Sequence, residues 1–170
     1  MVTKLLPANE AIFLYEKEAF EDPNDPKVVE LNNTTLGHNI SCALTRSYTL
    51  DQASSLTLEA STVCDSAERQ ALADYAVDVM LPGYRSKSLT DIGKFNEFFN
   101  LVKVKGIEYY AVKRIGKPQN ALWEVGDVVN IIADVTTDNP NEPLEDGEFV
   151  IIEARFKTNG FAKFRFKVSG

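Results

Sequence analysis

The chain has 170 residues, of which 44% are hydrophobic and 25% are charged. These proportions are those of an ordinary globular protein, and they exclude a wholly disordered chain, a collagen-like chain and a small disulfide scaffold. At this length we expect one domain, residues 1–170, that buries roughly 70% of the surface of its unfolded chain. The net charge is −7, from 25 acidic and 18 basic residues, so the surface as a whole repels nucleic-acid phosphates.

The sequence carries no signal for a membrane or for secretion. No apolar run approaches the roughly 20 residues that cross a bilayer, and the N-terminus MVTKLLPANE lacks the pattern of a signal peptide. We therefore expect no membrane partner and synthesis in a reducing cytoplasm. The two cysteines, Cys42 and Cys64, have no metal-ligand spacing; we interpret both as small strand residues and leave their oxidation state open.

The N-terminal part is predicted to form a strand and then a long hairpin. Residues 10–20 are rich in aromatic and β-branched side chains, and the two prolines of residues 21–27 end this strand, so that residues 21–37 are expected to be flexible. Alternation in residues 38–48 and a second strand-like stretch at 54–64 predict a hairpin with small and hydroxyl side chains on one face. Such a strand pair buries little by itself and needs a partner surface.

Two shorter elements are predicted after the hairpin. Asp65 and Glu68 have the spacing of a capping box, which predicts a short helix from Ser66 to about Ala73. Alternation resumes in YAVDVML and is expected to end in a turn at Pro82–Gly83.

A clearer helix is predicted over DIGKFNEFFNLVK, with Thr90 as its cap. Its apolar residues recur at nearly helical spacing and form one stripe, which is typical of packing against a sheet; they are Ile92, Phe95, Phe99 and Val102.

Four strands are predicted in the C-terminal part, namely IEYYAVKRI, DVVNIIADVTT, EFVIIEARFK and FAKFRFKV. Residues 136–148 hold five acidic residues and two prolines, so they are expected to project as an acidic loop outside the ladder. For the last two strands, parity predicts a three-residue loop at 158–160 with Gly160 in a G1 bulge. That register pairs Phe156 with Ala162, Glu153 with Arg165 and Arg155 with Lys163, and it gives a basic face that includes Lys157 and Lys167.

These elements predict a mostly β (α+β) fold, an antiparallel β-sandwich or barrel with one flanking α-helix and a long early hairpin. No catalytic, cofactor or metal motif accompanies it, so we predict a protein that is not an enzyme. The only histidine, His38, has no ligand-spaced neighbours and is interpreted as a solvated loop residue. Trp123, the only tryptophan, precedes a turn and is interpreted as a cap on the barrel.

In the order of its elements the chain resembles the major tail tube proteins of long-tailed, siphovirus-like bacteriophages. In that family a β-sandwich or barrel carries a long early hairpin, a segment rich in Thr, Asp and Ser, a strand, one flanking helix and closing strands. Residues 38–84 look like the hairpin with its following segment, residues 91–103 occupy the helix position, and GDVVNIIADVTTD looks like a late strand. The resemblance covers about residues 38–170 and is one of layout.

The resemblance implies a structural virion subunit that assembles with copies of itself into six-membered rings, stacked as a hollow tail tube. DNA would pass through the tube without specific binding, and other phage tail proteins would be partners. The protein would be made in the cytoplasm of the host bacterium and would reside in the virion tail. Ring stacking would fall to the long hairpin and the projecting loops, with four residues as candidates for the hairpin contact: Tyr48, Leu50, Leu56 and Leu58.

Other readings of the sequence remain. A capsid decoration or tail-completion subunit would share the β fold and the acidity. A small-ligand or oligosaccharide-binding barrel would use Trp123 with Tyr109 and Tyr110 as an aromatic platform. An enzyme with dispersed carboxylates finds no support in their spacing.

Overall fold

A computed structural model gives the fold and describes residues 10–45, 48–52, 57–62, 65–72, 77–88, 93–146 and 149–170. Within these described residues there are two α-helices, α1 (Val28–Leu31) and α2 (Lys94–Val102). The strands are β1 (Glu10–Glu16), β2 (Gly37–Asn39), β3 (Thr49–Gln52), β4 (Thr57–Thr62), β5 (Asp65–Leu72), β6 (Val77–Ser86), β7 (Glu108–Ile115), β8 (Val128–Thr137), β9 (Asn141–Asp146) and β10 (Phe149–Lys167).

The strands pair antiparallel throughout the described residues. One sheet has the order β2-β1-β7-β8-β10-β6-β3, with β9 also paired to β10, and β4 pairs with β5 as a separate two-stranded ribbon. The predicted fold class, a mostly β antiparallel fold with a flanking helix, is therefore confirmed. The short helix α1 is an addition, and it lies in the segment 21–37 that was expected to be flexible.

Strand β10 joins the two halves of the large sheet. Its first half, Phe149–Arg155, pairs with β6, and its second half, from Phe156 to Lys167, pairs with β8. The register shifts between Thr158 and Ala162, and such an irregularity lets one strand pass from one sheet layer to another. The two halves fold over a common core that includes Leu50 and Leu81 from one side and Ile12 and Ala111 from the other.

A second apolar cluster covers the opposite face of β1, β7 and β8. Tyr15 and Phe20 pack there with Trp123, and the Tyr15 hydroxyl donates a hydrogen bond to the carbonyl of Leu31 in α1. Burial raises the pKa of Tyr15 above its usual range. Because β1 is buried on both faces, its sequence is a continuous apolar run and does not alternate.

The buried guanidinium of Arg114 holds the loop that carries Trp123. Its Nη2 donates to the carbonyls of Pro118 and Ala121 at 3.1 and 2.9 Å, and it stacks 4.6 Å from the ring centroid of Trp123. A stacked, hydrogen-bonded arginine is stabilising in a site that would penalise a bare charge. Trp123 therefore caps this second cluster.

The predicted loop at residues 158–160 is wrong. β10 runs through these residues without turning, Phe156 pairs with Thr137, and Ala162 pairs with Ala133. The expected pairs between Glu153 and Arg165 and between Arg155 and Lys163 therefore do not form. An Asn-Gly pair between two alternating stretches marks either a turn or a bulge, and here the shared ladder with β8 selects the bulge.

The predicted acidic loop at 136–148 is also wrong. β8 and β9 both pair along the same edge of β10, with Phe156 opposite Thr137 and Phe149 opposite Asp146. The acidic segment is thus the outer part of a long closing hairpin. Pro143 is tolerated in β9 because the strand lies at the edge of the sheet, where an N–H can be missing without loss.

Two predictions between residues 65 and 83 are corrected as well. Residues 65–72 form strand β5, since pairing with β4 outweighs the capping signal of Asp65. Pro82 and Gly83 lie inside β6. The carbonyl of Pro82 accepts a hydrogen bond from the N–H of Thr45 at 2.8 Å, so the edge of Pro82 that lacks an N–H faces away from β10.

Helix α2 packs on the sheet as predicted, although the buried stripe is shifted. Phe98 and Val102 are fully buried, whereas Phe95 and Phe99 are partly buried. The predicted cap Thr90, like Ile92, lies outside the described residues.

Gly83 is predicted to be required for the packing of α2. A Cβ at this position would lie 2.6 Å from the carbonyl oxygen of Ala43 and 2.8 Å from the ring of Phe98. We expect Gly83→Ala to lower the free energy of unfolding by about 2 kcal/mol, because the backbone of residue 43 must move. Urea unfolding measures this free energy, with Gly170→Ala as the neutral control. Equal free energies of unfolding for the two variants would contradict the close packing of Gly83.

Glu142 is predicted to stabilise the outer strands above its titration range. Its carboxylate binds Arg85 through contacts of 2.6 and 3.2 Å, and the hydrogen bond from Arg85 holds the pKa of Glu142 below its usual value. A lowered folded pKa gives stability above the unfolded pKa that is lost as the pH falls through the folded pKa. Glu142→Gln should cost a few tenths of a kcal/mol at neutral pH and nothing in acid, as measured by urea unfolding at both pH values. A pH-independent difference would contradict this role.

Candidate assembly interface

An early hairpin extends from the sheet, with arms that differ from those predicted. Thr49 pairs with Met80 and Gln52 with Val77, while Thr57 pairs with Leu72 in the separate ribbon. Both strand pairs have the same register, as one continuous hairpin requires. The described parts of the arms are therefore residues 49–52 and 57–62 on one side and residues 65–72 and 77–80 on the other.

Residues 38–48, which were predicted as the first arm, have another structure. Strand β2 pairs with β1 and ends at Asn39, and a 3₁₀ turn follows at Ser41–Ala43. The Asn39 side-chain oxygen accepts hydrogen bonds from the N–H and the hydroxyl of Ser41, at 3.1 and 2.6 Å. Local bonds of this kind compete with a strand ladder, and this interrupts the predicted alternation.

The base of the hairpin is fixed in the domain. Leu50 is fully buried in the core of its own chain, which is a correction, since this leaves no side-chain surface for a neighbouring subunit. Tyr48 is partly buried; its hydroxyl donates to the carboxylate of Glu10 at 2.5 Å, and the Lys113 ammonium lies 5.4 Å from its ring centroid. Of the other predicted contact residues, Leu58 lies in β4 and Leu56 lies outside the described residues.

The distal part of the hairpin, β4 with β5, is called the ribbon below. Within the described residues no other strand pairs with it. The register pairs Leu58 with Ala71 and Ala60 with Arg69, and it pairs Thr57 with Leu72 and Glu59 with Gln70. A two-stranded ribbon by itself has only marginal stability in water, so packing against a further surface would stabilise this ribbon.

The residues considered for chemistry do not form a reactive site. His38 lies in β2 with its Nδ1 3.9 Å from the carboxylate of Glu97, and Cys42 is an exposed free thiol. Cys64 lies outside the described residues. No group of three or more His, Cys, Asp and Glu in the described ranges is placed to hold a metal ion.

The aromatic platform required by a ligand-binding barrel is not formed. Tyr109 lies in the core between the sheet halves, where its hydroxyl donates to the carbonyl of Leu101 at 2.8 Å. Tyr110 and Trp123 lie on the opposite face in the second cluster, and Trp123 is only 3% exposed. The three rings cannot bind one ligand together.

A cavity of about 170 Å³ lies between α1 and the loop 119–123. The Asn32 side chain closes one wall by bonding both the N–H and the carbonyl of Trp123, at 2.8 and 3.0 Å. The amide side chains that line the cavity mostly bind the protein's own backbone. We therefore interpret the cavity as a structural feature of the loop.

None of the helices in the described part of the chain is long and apolar enough to span a membrane. A search of curated proteins finds no match to the sequence. A comparison with protein families gives one result that covers nearly the whole chain: the model for the phage tail tube protein family matches residues 4–169. With its antiparallel β fold, flanking helix and early hairpin, the chain belongs to the phage tail tube protein family, whose members are structural components of the virion tail.

Proposed function

We propose that copies of this chain form hexameric rings that stack into a hollow tube, and that the genomic DNA passes through this tube. The chain acts by assembly and carries out no catalysis. Its partners are further copies of itself and the proteins at the two ends of the tail. The subunit is made in the cytoplasm of the host bacterium and ends in the virion tail.

The observation that carries this proposal is the ribbon. No other strand in the described residues joins this strand pair, so its two outer edges are sites for association. The base of the same hairpin is rigid, because Leu50 is buried in the core and β3 pairs with β6. A rigid base with an unpartnered end is the arrangement expected of an arm that reaches a subunit in the next ring.

The two faces of the ribbon suggest how it binds. Strand alternation assigns one face to Leu58, Ala60, Ala71 and Arg69, of which three are apolar, so close contact with a neighbouring subunit would bury apolar surface there. It assigns the other face to Thr57, Glu59, Gln70 and Leu72, of which three are polar. We propose that the apolar face contacts the next ring and that the polar face remains in water.

The charge of the chain supports passage of DNA without retention. A net charge of −7 per subunit repeats around every ring. Like charge between the tube and the phosphates prevents the tight, salt-dependent binding that basic surfaces give.

Removal of the ribbon is predicted to abolish tube formation without unfolding the domain. Residues 53–76 are replaced by Asn-Gly, since Gln52 and Val77 are directly paired and a two-residue type I′ turn can join them. We expect a folded protein, by circular dichroism and thermal unfolding, that forms no tubes in negative-stain electron microscopy. Tubes formed by this variant at wild-type concentrations would contradict the proposal.

A pair of single substitutions tests the face of the ribbon. Leu58→Asp places a charge on the apolar face, and Thr57→Asp places the same charge on the polar face. Burial of an unpaired carboxylate costs several kcal/mol, so Leu58→Asp should raise the concentration needed for tube formation at least tenfold. Light scattering across a concentration series measures the concentration at which tubes form. An equal or larger effect of Thr57→Asp would reverse the assignment of the faces.

A further inference from the structure

The second half of β10 has an open edge. Residues Phe156–Lys167 pair with β8 along one edge, and in the described part of the chain no strand pairs with the other. An isolated bridge between Lys27 and Ser169 marks its end. An open edge on a long strand binds other chains unless it is protected, and charged side chains are one form of protection.

This edge is the most basic part of an acidic chain. Residues 154–170 contain five basic and no acidic residues, so residues 1–153 carry a net charge of −12. We call residues 156–167 the basic edge. Lys157, Arg165 and Lys167 are exposed there, and no ion pair within the described residues neutralises them.

The fourth cation of the basic edge, Lys163, is already used within the chain. Its ammonium donates to the carbonyl of Asn24 and lies 4.2 Å from the ring centroid of Phe166. Three of the four positive charges are thus exposed, with no ion-pair partner in the part of the chain that the structure describes.

Arg165 has a backbone conformation that arginine rarely adopts. Its φ is 47°, and among the described residues no other residue except glycine has a positive φ. This left-handed conformation is strained for an L-residue, and glycine would adopt it without that strain. The ladder with β8 keeps one register across this position, with Phe164 opposite Ile131 and Phe166 opposite Val129, but Arg165 itself has no ladder partner. Backbone strain at an exposed cation points to a function for the side chain.

We propose that the basic edge binds the acidic surface of a second copy of this chain within the same ring. The inference rests on the tube function and identifies one side of the contact between ring neighbours. Because the basic and acidic surfaces are different parts of each subunit, the contact is head-to-tail, which is the arrangement that closes a ring. Complementary charge also selects the correct neighbour and speeds encounter.

Double-stranded DNA is the other anionic partner that the edge could bind. The second copy is favoured because each subunit brings a net charge of −12 outside residues 154–170, at the high local concentration of the assembled ring. A basic strand open to DNA would also hold the phosphates that the tube must release.

The test reverses two charges on the basic edge and compares a matched control. The variant is Lys157→Glu with Arg165→Glu, and the control is Lys103→Glu with Lys105→Glu, two exposed lysines after α2. Both change the net charge by the same amount. We expect the edge variant to need at least a tenfold higher concentration for assembly at moderate salt, by light scattering and electron microscopy, and the control to assemble like the wild type.

Head-to-tail contact also predicts how the edge variant behaves in mixtures with wild-type protein. The edge variant keeps its acidic surface, so it can join a growing ring on one side only and should block closure. When a minor fraction of the edge variant is mixed with wild-type protein, the yield of tubes should therefore fall by more than the fraction of variant added. The same fraction of the control variant should leave the yield per wild-type subunit unchanged.

Arg165→Gly separates assembly from folding. Removal of the strain should leave the midpoint of thermal unfolding unchanged or raised, while loss of the cation should raise the concentration for assembly several-fold.

If both edge variants assemble like the wild type, the inference is overturned while the wild-type tubes still support the proposed function. If the edge variant assembles normally but loses retention on immobilised duplex DNA, the edge is a nucleic-acid site and the inference is likewise overturned. Wild-type protein that forms neither rings nor tubes would overturn the proposed function itself.

Discussion

The ladder of β10 is the constraint on which the rest of the structure depends. This one strand of 19 residues pairs with β6, β8 and β9. It therefore holds the half of the sheet that carries the early hairpin against the half that contains β1 and β7. The core between the halves forms only because the strand passes from one to the other through the irregularity at residues 158–162. The early hairpin and the closing hairpin are both fixed through this strand.

The distribution of apolar residues follows from that arrangement. The sheet around β1 and β7 has a buried cluster on each face, one under α2 and one under the segment that contains α1 and Trp123. Most apolar side chains of the described domain are thus buried within the chain. The ribbon of β4 and β5 and the basic edge of β10 have edges that no other described strand covers, and we propose both as surfaces for contact between subunits.

Much of the fold follows from local sequence patterns. The strands at β1, β7 and β8 and the helix α2 lie close to their predicted positions, because each has a periodicity or composition that only one element satisfies. The presence of a long early hairpin was also predictable, but its arms were not. Alternation in residues 38–48 is broken by the side-chain bonds of Asn39, and the true arms pair through Leu50, a residue whose burial depends on β10 and α2. The basic edge was visible as a run of cations, whereas its open backbone and the strain at Arg165 required the tertiary structure.

The sequence by itself determined the class of the fold, the flanking helix, the acidity of the subunit and the family resemblance. Only the tertiary structure decided where strands continue and where they turn. Asn159–Gly160 and Pro82–Gly83 are local signals for a turn, and both lie inside strands, while the acidic residues 141–146 join a ladder. The reason is physical. A local sequence determines which backbone conformations of a few residues have low free energy, but the hydrogen-bond partner that selects among them lies far away in the chain.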